Sequence, residues 1–122
     1  MKDLEHKEQC AIVNHIIARK RPGVFWFAVP NGGNRTAATG ARLKREGVRA
    51  GVPDLHFLIG NGVVPLPLYL EYKTSEGVVS KSQLEIKREI EAAGGIWHCA
   101  YGIDQALEIL VDFGVIWPER RG

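Results

Sequence analysis

An α/β domain, built as a small mixed sheet flanked by helices, is the fold that three observations on this chain predict. The elements read in the order helix, strand, short helix, strand, strand, helix, strand, helix. Leu55 to Ile59 and the segment ending at Lys73 alternate between two faces, the period of two that a strand imposes. Residues 4–20 and the stretch after Ser80 instead repeat their apolar positions with the period of a helix. The 122 residues are expected to form one domain, with its core over about 4–113 and a loose tail over 117–122.

Residues 4–20 form the first helix, with Ile12, Val13, Ile16 and Ile17 as its apolar stripe. Arg19, Lys20, Arg21, Pro22 and Gly23 end it, with cations near its C-terminus and then two breakers. Val24 to Val29 is β-branched and aromatic, hence a strand. Pro30-Asn31-Gly32-Gly33-Asn34 interrupts it, and Thr36 to Glu46 is a short basic helix weakened by Gly40. Gly47 closes that helix, and Gly51-Val52-Pro53 turns the chain into Asp54. Gly60-Asn61-Gly62 separates the two alternating strands. Ser80-x-x-Gln83 is a capping box opening a helix to about Ala93, with Gln83, Ile86, Ile90 and Ala93 on its inward face. Gly94-Gly95 ends it. A last strand spans Ile96 to Tyr101, and Asp104 starts a closing helix to about Phe113.

Composition bounds the function only loosely. Hydrophobic residues make up 45% and charged residues 25%, ordinary for a globular protein, and a net charge of +2 does not by itself argue for nucleic acid. The distribution says more, because Arg35, Arg42, Lys44, Arg45 and Arg49 cluster around a single acid, Glu46. They read either as a solvated surface or as contacts to a phosphate backbone. No run is long enough to span a membrane, and the opening residues are too charged for a signal peptide. Cys10 and Cys99 lack metal-ligand spacing and suit a reducing compartment, so a cytoplasmic protein without membrane contact is expected. His6, His15, His56 and His98 also lack ligand spacing, although His56 shares a face with Asp54.

The chemistry gathers at Asp54 and Glu71-Tyr72-Lys73. Glu71 and Lys73 are two residues apart in a strand and emerge on the same face. A hairpin centred near Gly62 places Asp54 roughly opposite Glu71, where Cβ atoms are about 4.5–5.5 Å apart. Pro65 and Pro67 each remove a ladder donor and leave the register near the turn open. Two carboxylates beside a lysine can hold one hard divalent cation and an activated water, the chemistry that cuts a phosphodiester bond. Glu71 lies among Leu66, Leu68 and Leu70, where a carboxylate is costly unless paired or metal-bound; an ion pair with Lys73 is the plainer alternative. Adjacent carboxylates oppose the depressed pKa that Lys73 would need as a base, so its expected role is to orient water and neutralise phosphate charge. Gln83 is explained equally by the cap, and Glu5, Glu8 and Gln9 by a solvated first helical turn.

Pro30-Asn31-Gly32-Gly33-x-Arg35, then Ala41-x-Leu43-Lys44-x-x-Gly47-Val48-x-x-Gly51-Val52-Pro53-Asp54-Leu55, then Glu71-Tyr72-Lys73 and Ser80-x-x-Gln83, together resemble the virus-type replication-repair nuclease (VRR-NUC) domain. That family belongs to the PD-(D/E)xK nuclease superfamily, and the resemblance covers about residues 4–110. It implies a restriction-endonuclease-like core and a DNA endonuclease dependent on Mg²⁺ or Mn²⁺, acting on branched DNA such as four-way junctions or flaps. Stand-alone members of this size look like phage or bacterial proteins and resemble Holliday-junction resolvases in pairing as homodimers. Carried onto this chain, Asp54, Glu71 and the Tyr72 backbone carbonyl would hold the metal, with Lys73 beside the attacking water. Gln83 matches a helix glutamine that points into the site. Glu5 and Gln9 match an N-terminal glutamate and glutamine, Glu5 as a further acid of the site that would also hold the metal, with Glu8 a competing acid. Asn31, Arg35, Arg42, Lys44, Arg45 and Arg49 would contact the nucleic acid. The alternatives are a non-catalytic nucleic-acid-binding module of the same fold and a nuclease acting on RNA.

Overall fold

The computed structural model describes residues 2–30 and 36–119. Its elements are α1 (Lys2–Arg19), β1 (Val24–Ala28), α2 (Ala37–Arg45), β2 (Leu55–Ile59), β3 (Leu66–Lys73), α3 (Lys81–Ala92), β4 (Ile96–Tyr101) and α4 (Ile103–Asp112). The sheet order is β1-β2-β3-β4; β1, β2 and β3 are antiparallel, and β4 runs parallel to β3. A parallel neighbour is out of reach of a tight turn, which is why α3 intervenes between β3 and β4. The mixed α/β architecture is the expected one.

Leu55 pairs with Leu70 and Ile59 with Leu66, so the β2–β3 register carries Asp54 toward Glu71 at the open end of the hairpin. Pro67 sits inside this ladder, opposite Leu58. Its missing N–H costs nothing there. Backbone groups alternate sides along β3, and Tyr72 turns its N–H toward Asp54 on the β2 side. Odd-numbered residues therefore face β4, and β4 pairing begins only at Leu68 with Ile96.

One face of the sheet is the core. Val24, Leu55, Phe57, Ile59, Leu68, Leu70 and Ala100 are buried there against Ile12 and Ile16 of α1 and Ala106 and Leu110 of α4. Each fully buried aliphatic side chain contributes about 1.5–3 kcal/mol of hydrophobic stabilisation. The α1 stripe is narrower than predicted. Ile12 and Ile16 lie about 40° apart around the helix and are buried, whereas Ile17 lies a further 100° or so round and is 70% exposed. On α3, Ile86 is buried but Ala93, expected inward, is exposed as the C-cap.

The core also runs past the predicted boundary at 113. Val115 and Ile116 are fully buried, and Ile116 bridges to Lys20. Trp117, expected to open a loose tail, donates its N–H to the Arg19 carbonyl at 2.9 Å and lies under the Arg21 guanidinium, 4.2 Å from the ring centre. By contrast α2 buries no residue; Thr36 caps it by accepting from the Thr39 N–H at 3.1 Å. Among the described residues no helix is long and apolar enough to cross a membrane.

Candidate active site

Asp54 is set by the turn before β2. Gly51 adopts φ +84°, and a Cβ there would lie 2.6 Å from the Ser82 carbonyl carbon. Only glycine lets this loop press against the first turn of α3. The Asp54 carbonyl accepts from the Val29 N–H at 2.9 Å, extending the β1–β2 ladder, and its carboxylate Oδ2 accepts from the Tyr72 N–H at 2.8 Å. The sheet thus fixes both ends of the residue, which is 7% exposed.

Glu71 is more deeply buried, at 2% exposure. Its Oε2 accepts from the Gln83 side-chain amide at 2.9 Å and lies 3.8 Å from the Lys73 ammonium. Its Oε1 is buried, and no N–H among the described residues donates to it. Burial, then the charge of Asp54, push the Glu71 carboxyl up to about 9; Lys73 offsets part of this, and a hydrogen bond with Asp54 and the charge of Glu5 add to it. At neutral pH the metal-free site therefore keeps a proton on Glu71.

Gln83 serves the cap and the site together. Its side-chain oxygen accepts from the Ser80 N–H at 2.8 Å, while its backbone N–H donates to Ser80 Oγ at 3.2 Å. With the oxygen committed to the cap, the amide nitrogen is turned toward Glu71. The two explanations that the sequence left equal are two halves of one arrangement.

Glu5 and Glu8 separate in space. Glu8 accepts the Tyr72 hydroxyl at 2.8 Å, whereas Glu5 lines the cleft that holds Asp54 and Glu71. The Tyr72 carbonyl is also directed to the site. The Lys73 carbonyl faces β4, where it accepts from the Gly102 N–H at 2.9 Å, so its predecessor's carbonyl faces the opposite side, that of Asp54.

The cleft holds about 610 Å³ and is lined by Val29 and Pro30, by the Gly47–Val52 loop, by Ser82 and Gln83 of α3, and by Glu5, Asp54, His56 and Glu71. His56 Nε2 lies 3.1 Å from the Pro53 carbonyl, and burial lowers its pKa, with the Pro53 hydrogen bond and the charge of Asp54 opposing that shift. In the sequence, the glycines lining the cleft and Val29 read as turn and strand residues. Their place in the cleft depends on α3 folding back over β3, a contact no local pattern announces.

The basic residues are distributed differently. Arg49 lines the cleft and is held by both carboxylate oxygens of Glu89 on α3. Arg42 pairs with Glu46 at 3.1 Å on the exposed surface of α2, beside the exposed Lys44 and Arg45. Asn31 and Arg35 lie outside the described residues.

Asp54, Glu71 and the Tyr72 carbonyl offer oxygen donors, which suit a hard divalent cation, while His56 Nε2 is engaged with the Pro53 carbonyl. The Glu71 oxygen without an N–H donor fits the same use. Among the described residues no three His, Cys, Asp or Glu side chains are already gathered as a metal-holding group, and Glu5 shares the cleft with Asp54 and Glu71. Waters would complete the shell, as Mg²⁺ prefers.

No protein-family model matches the chain, and no curated protein matches it in sequence. A solved structure of a VRR_NUC domain protein matches it with a TM-score of 0.73 and 23% identity, over 89% of this chain and 86% of that one. The chain has the VRR-NUC domain fold.

Proposed function

We propose that this protein is a divalent-metal-dependent DNA endonuclease that hydrolyses phosphodiester bonds, with branched DNA such as four-way junctions or flaps as its substrate. The observation that carries this reading is the buried acid pair. Glu71 is almost fully inside the protein, has one oxygen without an N–H donor among the described residues, and holds a proton that a cation would displace. A purely structural carboxylate in this position would be costly. The VRR-NUC fold supports the same reading.

A bound Mg²⁺ or Mn²⁺ would lower the pKa of a coordinated water and stabilise charge developing on the phosphate. Asp54, Glu71 and the Tyr72 carbonyl would hold it. The Tyr72 N–H fixes the Asp54 carboxylate, and Gln83 orients that of Glu71. Lys73, whose ammonium lies 3.8 Å from Glu71 Oε2, would orient the attacking water while offsetting phosphate charge. Glu5, which lines the same cleft, would be a further acid holding the metal. Arg49, and α2 with Arg42, Lys44 and Arg45, would meet the DNA backbone. A homodimer would give a symmetric junction two sites.

The test is cleavage of labelled four-way junction, flap, duplex and single-stranded DNA with Mg²⁺, Mn²⁺ or EDTA. Wild-type protein is expected to cut only with metal, and Asp54→Ala and Glu71→Ala to lose cutting while remaining folded. Undiminished cutting by either variant, or cutting in EDTA, would overturn the assignment.

A further inference from the structure

Among the described residues, α3 covers the sheet face that carries Asp54 and Glu71 beside β3 and β4, and toward β1 that face presents exposed side chains. Phe25 is 64% exposed, Phe27 46% and Leu58 45%. Four rings form a continuous row across this face. Phe25 and Phe27 have centroids 5.8 Å apart, Phe27 and His56 4.9 Å, and His56 and Tyr69 4.7 Å, all tilted or edge-on to one another. The row adjoins the acid cleft. His56 follows Asp54 by two residues and lines that cleft, and Tyr69 precedes Glu71 by two. Two residues of strand are roughly 7 Å, so the rings begin one step from the acids on the same surface.

We propose that Phe25, Phe27, His56 and Tyr69 stack the unpaired bases of a DNA strand whose backbone enters the acid cleft. The proposal rests on the nuclease reading and narrows its substrate to DNA with a single-stranded segment beside the cut. Aromatic rings take any base by its π-face, which gives affinity for unpaired strands without sequence preference. Paired bases are already stacked on their neighbours and cannot use the platform.

A second copy of the chain suits this face less well. Aromatic side chains bury about 150–250 Å² each, so two half-exposed rings and Leu58 offer on the order of 300 Å². A stable protein partner covers roughly 800 Å² per side. A partner seated on Phe27 and His56 would also overhang the cleft that Val29 and His56 line, closing the route to Asp54.

The test is binding of an oligothymidine carrying one 2-aminopurine, measured in EDTA by the fluorescence change of that base, with matched duplex in parallel. The double variant Phe25→Leu, Phe27→Leu keeps apolar bulk on an exposed surface and removes the π-faces. Its affinity for the single strand is expected to fall about five- to hundredfold, the scale of base–aromatic stacking, with duplex affinity unchanged. Phe25→Trp should bind the single strand at least as tightly as wild type. Equal affinity of the Leu variant and wild type for the single strand would overturn the proposal. So would a wild-type dimer that the same substitutions make monomeric, since that outcome assigns the face to a second copy. Because the assay needs no cleavage, the two readings fail separately. Ring-dependent binding without metal-dependent cutting refutes the nuclease alone, and cutting indifferent to the rings refutes the base platform alone.

Discussion

Asp54 and Glu71 on one side, and the basic helix α2 on the other, carry the charge that drew attention in the sequence, under opposite constraints. The two acids are 7% and 2% exposed, tied to the Tyr72 amide and the Gln83 side chain, and one of them is driven to hold a proton. The helix Ala37–Arg45 buries no residue, and Arg42 beside its C-terminus is occupied with Glu46. Buried charge is positioned by the whole fold and lowers stability until a partner arrives. Surface charge is positioned by its own helix and costs nothing. The acids should therefore show a conflict between stability and activity, and the bases should not.

The sharpest break in this comparison is Glu71→Gln. A glutamine keeps the volume but neither ionises nor needs to take up a proton on folding, so cleavage is expected to fall about a thousandfold or more, the scale of losing a group that stabilises transition-state charge. Thermal unfolding of the metal-free variant should nonetheless occur at a higher temperature than wild type at pH 8. Loss of both activity and stability would mean that Glu71 is a structural residue.

Gln83→Glu separates the two tasks of that side chain. Glutamate still serves a capping box, so α3 should form normally. It cannot donate to Glu71 and sets a second carboxylate against it. Metal affinity and cleavage are expected to fall about 10- to 100-fold, as when a group that orients a metal ligand is lost. Calorimetric titration with Mn²⁺ and circular dichroism of the same sample read the two tasks separately.

The local parts of this architecture were legible in the sequence. Alternation in β2 and β3 and the glycine turn between them place Asp54 near Glu71, and the Leu55–Leu70 pairing realises that register. Ser80-x-x-Gln83 announces its cap. What escaped depends on contacts between distant segments. Gly51 reads as a turn glycine, yet its lack of a Cβ matters because the Ser82 backbone lies against it. Arg49 reads as one of a basic cluster, but it is clamped by Glu89, forty residues later. Trp117 reads as tail, and only the return of the chain to Arg19 and Arg21 shows that it is fastened. Ile17 has the apolar character of a core residue and the wrong angle around α1 to be one.

The pH dependence of stability measures the conflict at Glu71 directly. Its carboxyl titrates at 4.5 as an ordinary side chain and at about 9 in the folded, metal-free protein. Between these values the native state holds a proton that the unfolded chain has released, so stability falls as pH rises through the window and is greatest at its acidic end. The slope from this group is at most about 1.4 kcal/mol per pH unit, or tenfold in the folding equilibrium. Denaturant unfolding in EDTA between pH 5 and 9 should show the decline in wild type and a flatter profile in Glu71→Gln. Saturating Mn²⁺ should flatten the wild-type profile too, because the cation displaces the proton, and metal affinity should rise over the same interval.

The smallest effects belong to the basic side. Lys44→Ala and Arg45→Ala remove exposed cations from a helix that buries nothing, so thermal unfolding should not change. If they meet the DNA backbone, each should weaken binding to all sequences alike and reduce the slope of log affinity against log salt by about 1. Arg42 and Arg49 already have carboxylate partners in Glu46 and Glu89, and those partners must be given up before a phosphate can be bound. Arg42→Ala and Arg49→Ala should therefore reduce the slope by less. Fluorescence anisotropy with duplex DNA across a salt series reads all four variants on one scale. Equal reductions for all four would show that the ion pairs on the surface yield freely to DNA, and would place Arg42 and Arg49 among the backbone contacts on the same footing as Lys44 and Arg45.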